Sequence, residues 1–260
     1  EKMPSEEIIK SWVAKYISLD KIEITRIAKY AHNSLVAKKW QEKRIFLAGD
    51  SAHMMPPSAG QGLCSGVRDA VNLAWKLESV IQKKASISLL NTYEQERKPH
   101  LYEILKRTLF FSSRLQGDNA LQRIWRKVQI QTIEFFSPLK EFLRNTYNSP
   151  PVLKEGFLSS KSALAGKHFP QFELNKQLTD DLIGYRFAVA ILPNTLTNSQ
   201  IDALKTQNIL ILNEILEFQP LFSDYLKKNK VDFALIRPDK IIFAAGKSAD
   251  FDLIFKEFVF

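Results

Sequence analysis

Glycine and proline are scarce in this chain, which has 9 glycines and 11 prolines among its 260 residues. Together they are about 8% of the sequence, whereas average proteins contain roughly 12%. A disordered or low-complexity chain is therefore excluded. The scarcity of glycine also argues against a complete dinucleotide-binding enzyme, because the turn that receives a pyrophosphate needs several glycines.

Cysteine is almost absent as well, since Cys64 stands alone and no disulfide can form within the chain. This excludes a secreted scaffold held by disulfides and favours a reducing compartment. No apolar run approaches the ~18 residues of a membrane-spanning helix. The first residues also lack the basic-then-apolar order of a signal peptide. We therefore expect a cytoplasmic protein without a membrane partner.

Acidic residues are under-represented in the first part of the chain. Residues 1–160 hold 25 Lys and Arg against 16 Asp and Glu, whereas residues 161–260 hold 12 of each. The net charge of +9 thus belongs to the first part. It indicates either attraction of an anionic ligand or lysine-rich helix faces in solvent. The basic residues form no compact run interleaved with aromatic residues, so we expect no nucleic-acid partner.

Hydrophobic periodicity predicts that the first part is mostly helical. Ser5 can cap a helix over residues 5–17, and Asp118 can cap another. Pro99 should kink or break the helix that contains it, because proline removes a helix hydrogen bond. The further helical segments are expected at 60–83, 86–116, 118–136 and 138–144.

Strands are expected in two places before residue 148, at 21–37 as two strands or one bent strand, and at 44–49. Residues 148–156 hold two prolines among polar neighbours and are the best domain boundary. After them, apolar runs alternate with helical segments, which predicts a small α/β domain. Its strands are expected at 185–192, 208–213, 232–238 and 240–246, and its helices at 198–206, 217–228 and 248–258.

Residues 44–77 carry the most informative pattern, a strand, a Gly-Asp turn, a proline-rich loop and a helix that starts on glycines. A helix N-terminus presents unpaired N–H groups and a partial positive charge, so it attracts anions. Gly60 and Gly62 allow a flat ligand to approach the backbone closely. Asp50, at the end of the strand, can accept hydrogen bonds from sugar-like hydroxyls. The pattern indicates a cofactor with hydroxyl groups and an anionic or polarised ring.

This stretch resembles the second FAD-binding motif of the class A flavoprotein aromatic monooxygenases. The family motif reads Gly-Asp-Ala-Ala-His, two prolines, Gly-Gln-Gly, and then Asp-Ala-x-Asn-Leu-x-Trp-Lys. Residues 92–100 are similar to the segment that follows it in the family. The matching motif residues are Gly49, Asp50, Ala52, His53, Pro56, Pro57, Gly60, Gln61, Gly62, Gly66, Asp69, Ala70, Asn72, Leu73, Trp75 and Lys76.

The later residues are similar to the C-terminal domain of the phenol and 3-(3-hydroxyphenyl)propionate hydroxylase branch, which resembles thioredoxin. Because the chain has no Cys-x-x-Cys pair, a dithiol redox role is excluded, and a structural or assembly role is expected. The implied fold is α/β. Residues 1–150 would hold the end of a substrate domain and a largely helical part of an FAD-binding domain. Residues 151–160 would be a linker, and residues 161–260 a thioredoxin-like α/β domain.

The resemblance also implies the cofactor contacts. Asp50 would bind the ribityl chain of FAD, and Pro57 would lie against the edge of the isoalloxazine ring. The backbone of Gly62, Leu63 and Cys64 would face the pyrimidine end of the ring, where the helix dipole favours the negative charge of reduced flavin. No catalytic residue is assigned. The full cofactor-binding set is Gly49, Asp50, Pro57, Gly60, Gln61, Gly62, Leu63 and Cys64.

The reaction implied for the full-length protein is hydroxylation of a small phenolic substrate. In the family, NADPH reduces the flavin, dioxygen forms a flavin hydroperoxide, and its terminal oxygen is transferred to the aromatic ring. A homodimer is a further expectation. No metal is expected, because the histidines have no metal-ligand spacing.

The sequence departs from the family pattern in several ways. Ser51 replaces an alanine, Cys64 stands where asparagine is usual, and Leu35 stands where close relatives tend to carry arginine. No Gly-x-Gly-x-x-Gly follows a first strand. We therefore expect a C-terminal piece of a longer monooxygenase that holds FAD poorly by itself. The alternative is an assembly module that binds no FAD.

Other interpretations of the motif remain. His53 is expected to be structural rather than catalytic. Arg68 and Asp69 either pair on the helix surface or have a structural role near the cofactor. The Gly49–Ser51 tripeptide also resembles the Gly-Asp-Ser nucleophile of a hydrolase superfamily. That superfamily needs an Asp-x-x-His near its C-terminus. Here Arg97 stands three residues before His100 and Ala165 three before His168, so the hydrolase interpretation is set aside.

Overall fold

The computed structural model describes residues 4–28, 33–57, 60–115, 120–138, 140–141, 149–215 and 218–258. Asp118, which was expected to cap a helix, lies outside the described residues, as does part of the segment at 138–144.

The first part of the chain is mainly helical, as its periodicity predicts. Its helices are α1 (Glu6–Val13), α2 (Gln61–Ile81), α3 (Thr92–Leu115) and α4 (Ala120–Phe135). Its strands form two short antiparallel pairs, β1 (Leu35–Val36) with β4 (His53–Met54) and β2 (Gln41–Glu42) with β3 (Ile45–Phe46). Helices α2 and α3 pack against each other. The local core consists of Trp40, Ala52, Leu73, Tyr93 and Leu101.

The ends of the first elements differ from the predictions. Helix α1 has Ser5 as its N-cap, but it ends at Val13 rather than at residue 17. The expected strand at 44–49 is only Ile45–Phe46. Two strands or one bent strand were expected over 21–37. Within the described part of this segment only β1 is a strand, so the extent of the prediction was wrong. The reason is that β1 pairs with a strand of just two residues, which leaves the preceding described backbone without a ladder.

Of the two expected effects of Pro99, a kink or a break, the break was wrong, because α3 runs through this residue. Pro99 and Gln95 are both exposed, so the Gln95 carbonyl that loses its N–H partner can be hydrated. Glu96 and Arg97, which directly follow Gln95, are buried. Their contacts hold the helix together across the missing hydrogen bond.

The second part is the predicted α/β domain. A hairpin of β5 (Glu173–Leu174) and β6 (Gln177–Leu178) precedes α5 (Thr179–Ile183). The main sheet has the order β10-β9-β7-β8, with β7 and β8 parallel and the other pairs antiparallel. The remaining elements are β7 (Ala188–Ile191), α6 (Asn198–Thr206), β8 (Leu210–Ile211), α7 (Gln219–Lys228), β9 (Phe233–Ile236), β10 (Ile242–Gly246) and α8 (Phe251–Phe258).

Both faces of this sheet are covered, which explains why its strands read as continuous apolar runs. Successive residues of a strand point to opposite faces. Accordingly, Ala188 and Ala190 belong to one core cluster, with Phe222 of α7. Val189 and Ile191 belong to the other cluster, which includes residues of α6 and α8. Among the described residues, no helix has an apolar stretch long enough to cross a membrane.

Candidate functional site

The Gly-Asp turn that follows β3 lies against helix α2. Gly49 has a φ of 57°, in the left-handed region that glycine adopts without strain, and it begins a single 3-10 turn that ends at Ser51. A Cβ added at Gly66 would lie 3.2 Å from the Cα atom of Gly49. Glycine at position 66 therefore permits the close approach that places Asp50 beside the start of α2.

Asp69 holds this turn in place from inside the molecule. Its carboxylate is fully buried. It accepts hydrogen bonds from the Gly49 N–H at 3.1 Å, from His53 Nε2 at 2.7 Å and from Arg97 Nε at 2.9 Å. Of the two alternatives for Arg68 and Asp69, the surface pair was wrong, because Asp69 points inward to these three donors. His53 is buried beside Asp69, in agreement with a structural role.

A cavity of about 390 Å³ opens between the Gly-Asp turn and the N-terminus of α2. It brings together five of the residues expected to contact a cofactor, namely Asp50, Pro57, Gly60, Gly62 and Leu63. It also brings in residues that the sequence reasoning missed, namely Asn33, Met54, Met55 and Pro56. Only Pro56 carried a sequence signal, as the first proline of the loop. The pairing of β1 with β4 brings Asn33, Met54 and Met55 to the wall of the cavity.

The glycines at the start of α2 suit a flat ligand. Gly60 has a φ of 60°, and no side chain among the described residues caps the helix that it begins. A Cβ added at Gly60 or Gly62 would meet no described atom within 4 Å, so both glycines face open space. An uncapped helix N-terminus offers N–H donors and a partial positive charge. These residues fit the ring of a flavin, whose hydroxylated side chain would reach the exposed Asp50.

The other three predicted residues do not line this cavity. Gly49 begins the turn, and its N–H donates to the buried Asp69 carboxylate. Gln61 and Cys64 are in the first turn of α2, where the Cys64 thiol is free and exposed. Their side chains therefore have no place in the cavity wall, and a role for either residue would come through its backbone.

A second buried polar network joins α2 and α3 to the C-terminal domain. Its centre is Glu96, whose carboxylate accepts hydrogen bonds from Arg237 Nη2 at 2.7 Å and from Asn72 Nδ2 at 2.7 Å. Lys76 Nζ lies 3.0 Å from the same carboxylate, as an ion pair without a well-aligned hydrogen bond. Asp239 completes the network, since it accepts from Arg237 and from Asn72. Two cations and two carboxylates thus balance each other between the two parts of the chain.

The pKa directions follow from this arrangement. Burial alone would raise the pKa of Glu96, but Arg237 and Lys76 outweigh it and lower the pKa to about 2. Burial lowers the pKa of Lys76 to about 8, although Glu96 partly opposes this effect. Burial also works against the charge of Arg237, yet Asp239 and Glu96 raise its pKa further above the ordinary value. Glu96, Lys76 and Arg237 are therefore charged at neutral pH.

The Trp75 side chain packs between this polar network and the aromatic residues of the second part of the chain. The Arg237 guanidinium lies over the indole ring at 5.1 Å from its centroid. Phe187 makes an edge contact with the same ring at 5.5 Å, and Phe157 lies at 6.0 Å. The motif residues Asn72, Trp75 and Lys76 therefore face the C-terminal domain. The sequence placed them on the motif helix but gave no sign of what they contact.

Comparisons with known proteins agree with this geometry. The FAD binding domain family matches residues 5–108. The chain is 36% identical to a 3-(3-hydroxy-phenyl)propionate/3-hydroxycinnamic acid hydroxylase of Klebsiella pneumoniae subsp. pneumoniae over 180 residues, which cover 65% of this chain and 32% of that protein. The chain therefore spans about a third of the length of the curated relatives it matches.

Solved structures share the fold. RebC-10x with bound 7-carboxy-K252c matches with a TM-score of 0.72 and 22% identity, over 98% of this chain and 52% of that one. The flavin-dependent monooxygenase PieE, in complex with FAD and substrate, matches with a TM-score of 0.70 and 17% identity, over 99% of this chain and 54% of that one. At these identities the likeness establishes the fold of the chain.

Proposed function

We propose that this chain belongs to the class A FAD-dependent aromatic hydroxylases and that it supplies the part of such an enzyme that holds the ribityl chain and isoalloxazine ring of FAD. The observation that carries the proposal is the cavity between the Gly-Asp turn and the uncapped N-terminus of α2. In this cavity the Asp50 carboxylate, which can bind hydroxyl groups, lies near Gly60 and Gly62, which leave space for a flat ring.

Each residue has a distinct role in this proposal. The Asp50 carboxylate accepts hydrogen bonds from ribityl hydroxyls, and Pro57 packs against the ring edge. The N–H groups of Gly62, Leu63 and Cys64 point along the helix axis towards the pyrimidine end of the ring. The positive end of the α2 dipole stabilises negative charge at that end. Asp69 acts through Gly49, whose position it fixes.

The reaction that we propose is hydroxylation of a small aromatic substrate. More specifically, we propose that this substrate is a phenol. When bound, FAD supplies the redox chemistry, taking electrons from NADPH and activating dioxygen. The flavin hydroperoxide route, a homodimer and a cytoplasmic location stay predictions. The Klebsiella relative is named for 3-(3-hydroxy-phenyl)propionate and 3-hydroxycinnamic acid, which supports an aromatic acid as the first substrate to test.

We also propose the domain division expected from the sequence, with residues 1–150, a linker at 151–160, and a thioredoxin-like domain at 161–260. The order β-α-β-α-β-β-α and the sheet order β10-β9-β7-β8 support this assignment. Residues 161–260 contain no cysteine, so the role that we propose for this domain is structural or in assembly, without dithiol redox chemistry. The buried ion network indicates that this role includes holding helix α2.

The replacement Asp50→Ala tests the flavin assignment. Losing the charge-assisted hydrogen bonds to the ribityl hydroxyls should weaken FAD binding about tenfold or more. The measurement is a titration of FAD fluorescence with the purified chain. Asp224→Ala removes an exposed carboxylate from α7 and serves as the matched control. Equal FAD affinity of Asp50→Ala and the parent would contradict the role of Asp50, whereas a parent that binds no FAD would favour the assembly module.

A further inference from the structure

A second cavity, of about 500 Å³, lies where α2 and α3 meet the C-terminal domain. Its apolar wall includes Val67, Val71, Leu153, Phe169 and Ile241. Its basic wall includes Arg68, Arg97, His100, His168 and Lys240. This cavity is separate from the candidate flavin site, because Arg68 follows Gly62 by six residues of helix, or about 9 Å along its axis.

Two guanidinium groups of this wall leave buried donors unused. Arg97 is 3% exposed. Its Nε donates to Asp69 and its Nη1 to His100 Nδ1, but its Nη2 has no hydrogen-bond partner among the described residues. The Nη1 of Arg68 is likewise buried and has no partner in the described part of the chain. Buried donors without an acceptor cost free energy, and their presence in one cavity indicates a missing acceptor.

The acidic residues of the wall do not fill that need. Asp239 already accepts from Arg237 and Asn72, and Asp180 is exposed. Burial, together with Arg97 and Arg68, lowers the pKa of His100 to about 3, so this imidazole is neutral and accepts from Arg97. The near counter-charge of the arginines in the cavity is therefore Asp69. Its Oδ2 atom already accepts hydrogen bonds from the Gly49 N–H and from His53.

We propose that this cavity binds a small organic carboxylate, whose oxygens accept hydrogen bonds from Arg68 Nη1 and Arg97 Nη2. Guanidinium groups match the geometry of carboxylates, and charge-assisted hydrogen bonds of this kind are the strong ones. The apolar wall receives the hydrocarbon part of the ligand, which distinguishes an organic acid from inorganic phosphate. The site lies beside the network that joins the two parts of the chain and does not depend on the flavin assignment.

Calorimetric titration of the full 260-residue chain tests the proposal. The probe is 3-phenylpropionate, compared with the uncharged 3-phenylpropionamide and with inorganic phosphate. We expect the carboxylate to bind at least tenfold more tightly than the amide, and more tightly than phosphate. Arg68→Gln should weaken binding of the carboxylate at least tenfold. Arg44→Gln removes the same charge from an exposed position outside the cavity and should leave binding within twofold of the parent.

The outcomes are decisive because Arg68 is only half-buried and the ion pair of Asp69 is with Arg97, so replacement of Arg68 should leave the fold intact. Circular dichroism and the melting temperature verify this, and His168→Gln at the exposed rim provides a second variant. Equal affinity for acid and amide, no measurable binding, or unchanged affinity in a folded Arg68→Gln would overturn the proposal. Tighter binding of phosphate than of phenylpropionate would overturn the assignment to an organic acid.

Discussion

At the scale of single residues, two buried carboxylates organise the first part of the chain. Asp69 gathers the Gly49 N–H, His53 and Arg97, and so fixes the turn that carries Asp50. Glu96 lies one position before Arg97 on α3 and gathers cations from α2 and from the C-terminal domain. Neighbouring residues of one helix thus serve two separate networks, one towards the candidate flavin cavity and one towards the domain interface.

Asp69→Asn should lower the free energy of unfolding by about 2–4 kcal/mol. A neutral amide leaves the buried Arg97 without its counter-charge, and removing one partner of a buried ion pair is costly. Urea unfolding measures the loss, with Asp181→Asn at an exposed position as the control. A free energy of unfolding of Asp69→Asn within about 0.5 kcal/mol of the parent would show that the contacts of Asp69 are dispensable. Neutral surface substitutions change stability by about this amount.

Glu96 predicts the acid dependence of stability. Its pKa is about 2 in the folded chain, against an ordinary value of 4.5. The unfolded chain takes up this proton as the pH falls from about 4.5 towards 2, whereas the folded chain does not, so stability is lost across that window. Urea unfolding at several pH values measures the slope. Glu96→Gln should flatten it, and Glu103→Gln on an exposed face of the same helix should not.

At the scale of secondary-structure elements, helix α2 shows what the sequence could predict and what it could not. The glycines and prolines that shape its N-terminus are local signals, so the cavity around Asp50 could be anticipated. The apolar residues that recur at helical spacing between 67 and 80 predict a buried stripe, but they are partly exposed, with Val67 at 54% exposure. The buried face of α2 instead contains Asp69, Asn72 and Lys76. A hydrophobic periodicity cannot reveal a polar face whose partners lie elsewhere in the chain.

Helix α3 gives a second example, because the local rule for proline was correct about the lost hydrogen bond but not about its consequence. Pro99→Ala should stabilise the chain by about 1–3 kcal/mol, since it restores the bond from residue 99 to the exposed Gln95 carbonyl. Urea unfolding measures the gain, and Gln95→Ala, which leaves the backbone ladder unchanged, is the control. A loss of stability in Pro99→Ala would mean that the helix needs proline at this position.

At the scale of the whole molecule, the two parts of the chain are joined by charged groups rather than by an apolar seam alone. Arg237 and Glu96 are 141 residues apart in sequence, and Asn72 and Asp239 are 167 apart. No local pattern connects such residues, which is why the sequence predicted the strands of the C-terminal domain but not its attachment. The attachment reaches the same helix α2 whose first turn faces the candidate flavin cavity.

Arg237→Met tests this attachment. The variant leaves Glu96 and Asp239 buried with Lys76 as their sole cation in the network, so the free energy of unfolding should fall by about 3–5 kcal/mol. Lys205→Met, at an exposed position of α6, is the control. Unfolding followed separately by tryptophan fluorescence and by circular dichroism should show two transitions in Arg237→Met where the parent shows one. A single, unshifted transition would contradict the coupling.

The central claim is that this chain carries the site for the ring and ribityl chain of a flavin, and a titration with riboflavin tests it most directly. Riboflavin contains both of these parts but no pyrophosphate. We predict saturable binding of one riboflavin per chain, with FAD bound no more than about tenfold more tightly, because the residues of the cavity contact only the shared part. The absence of saturable riboflavin binding by the folded chain would contradict the claim.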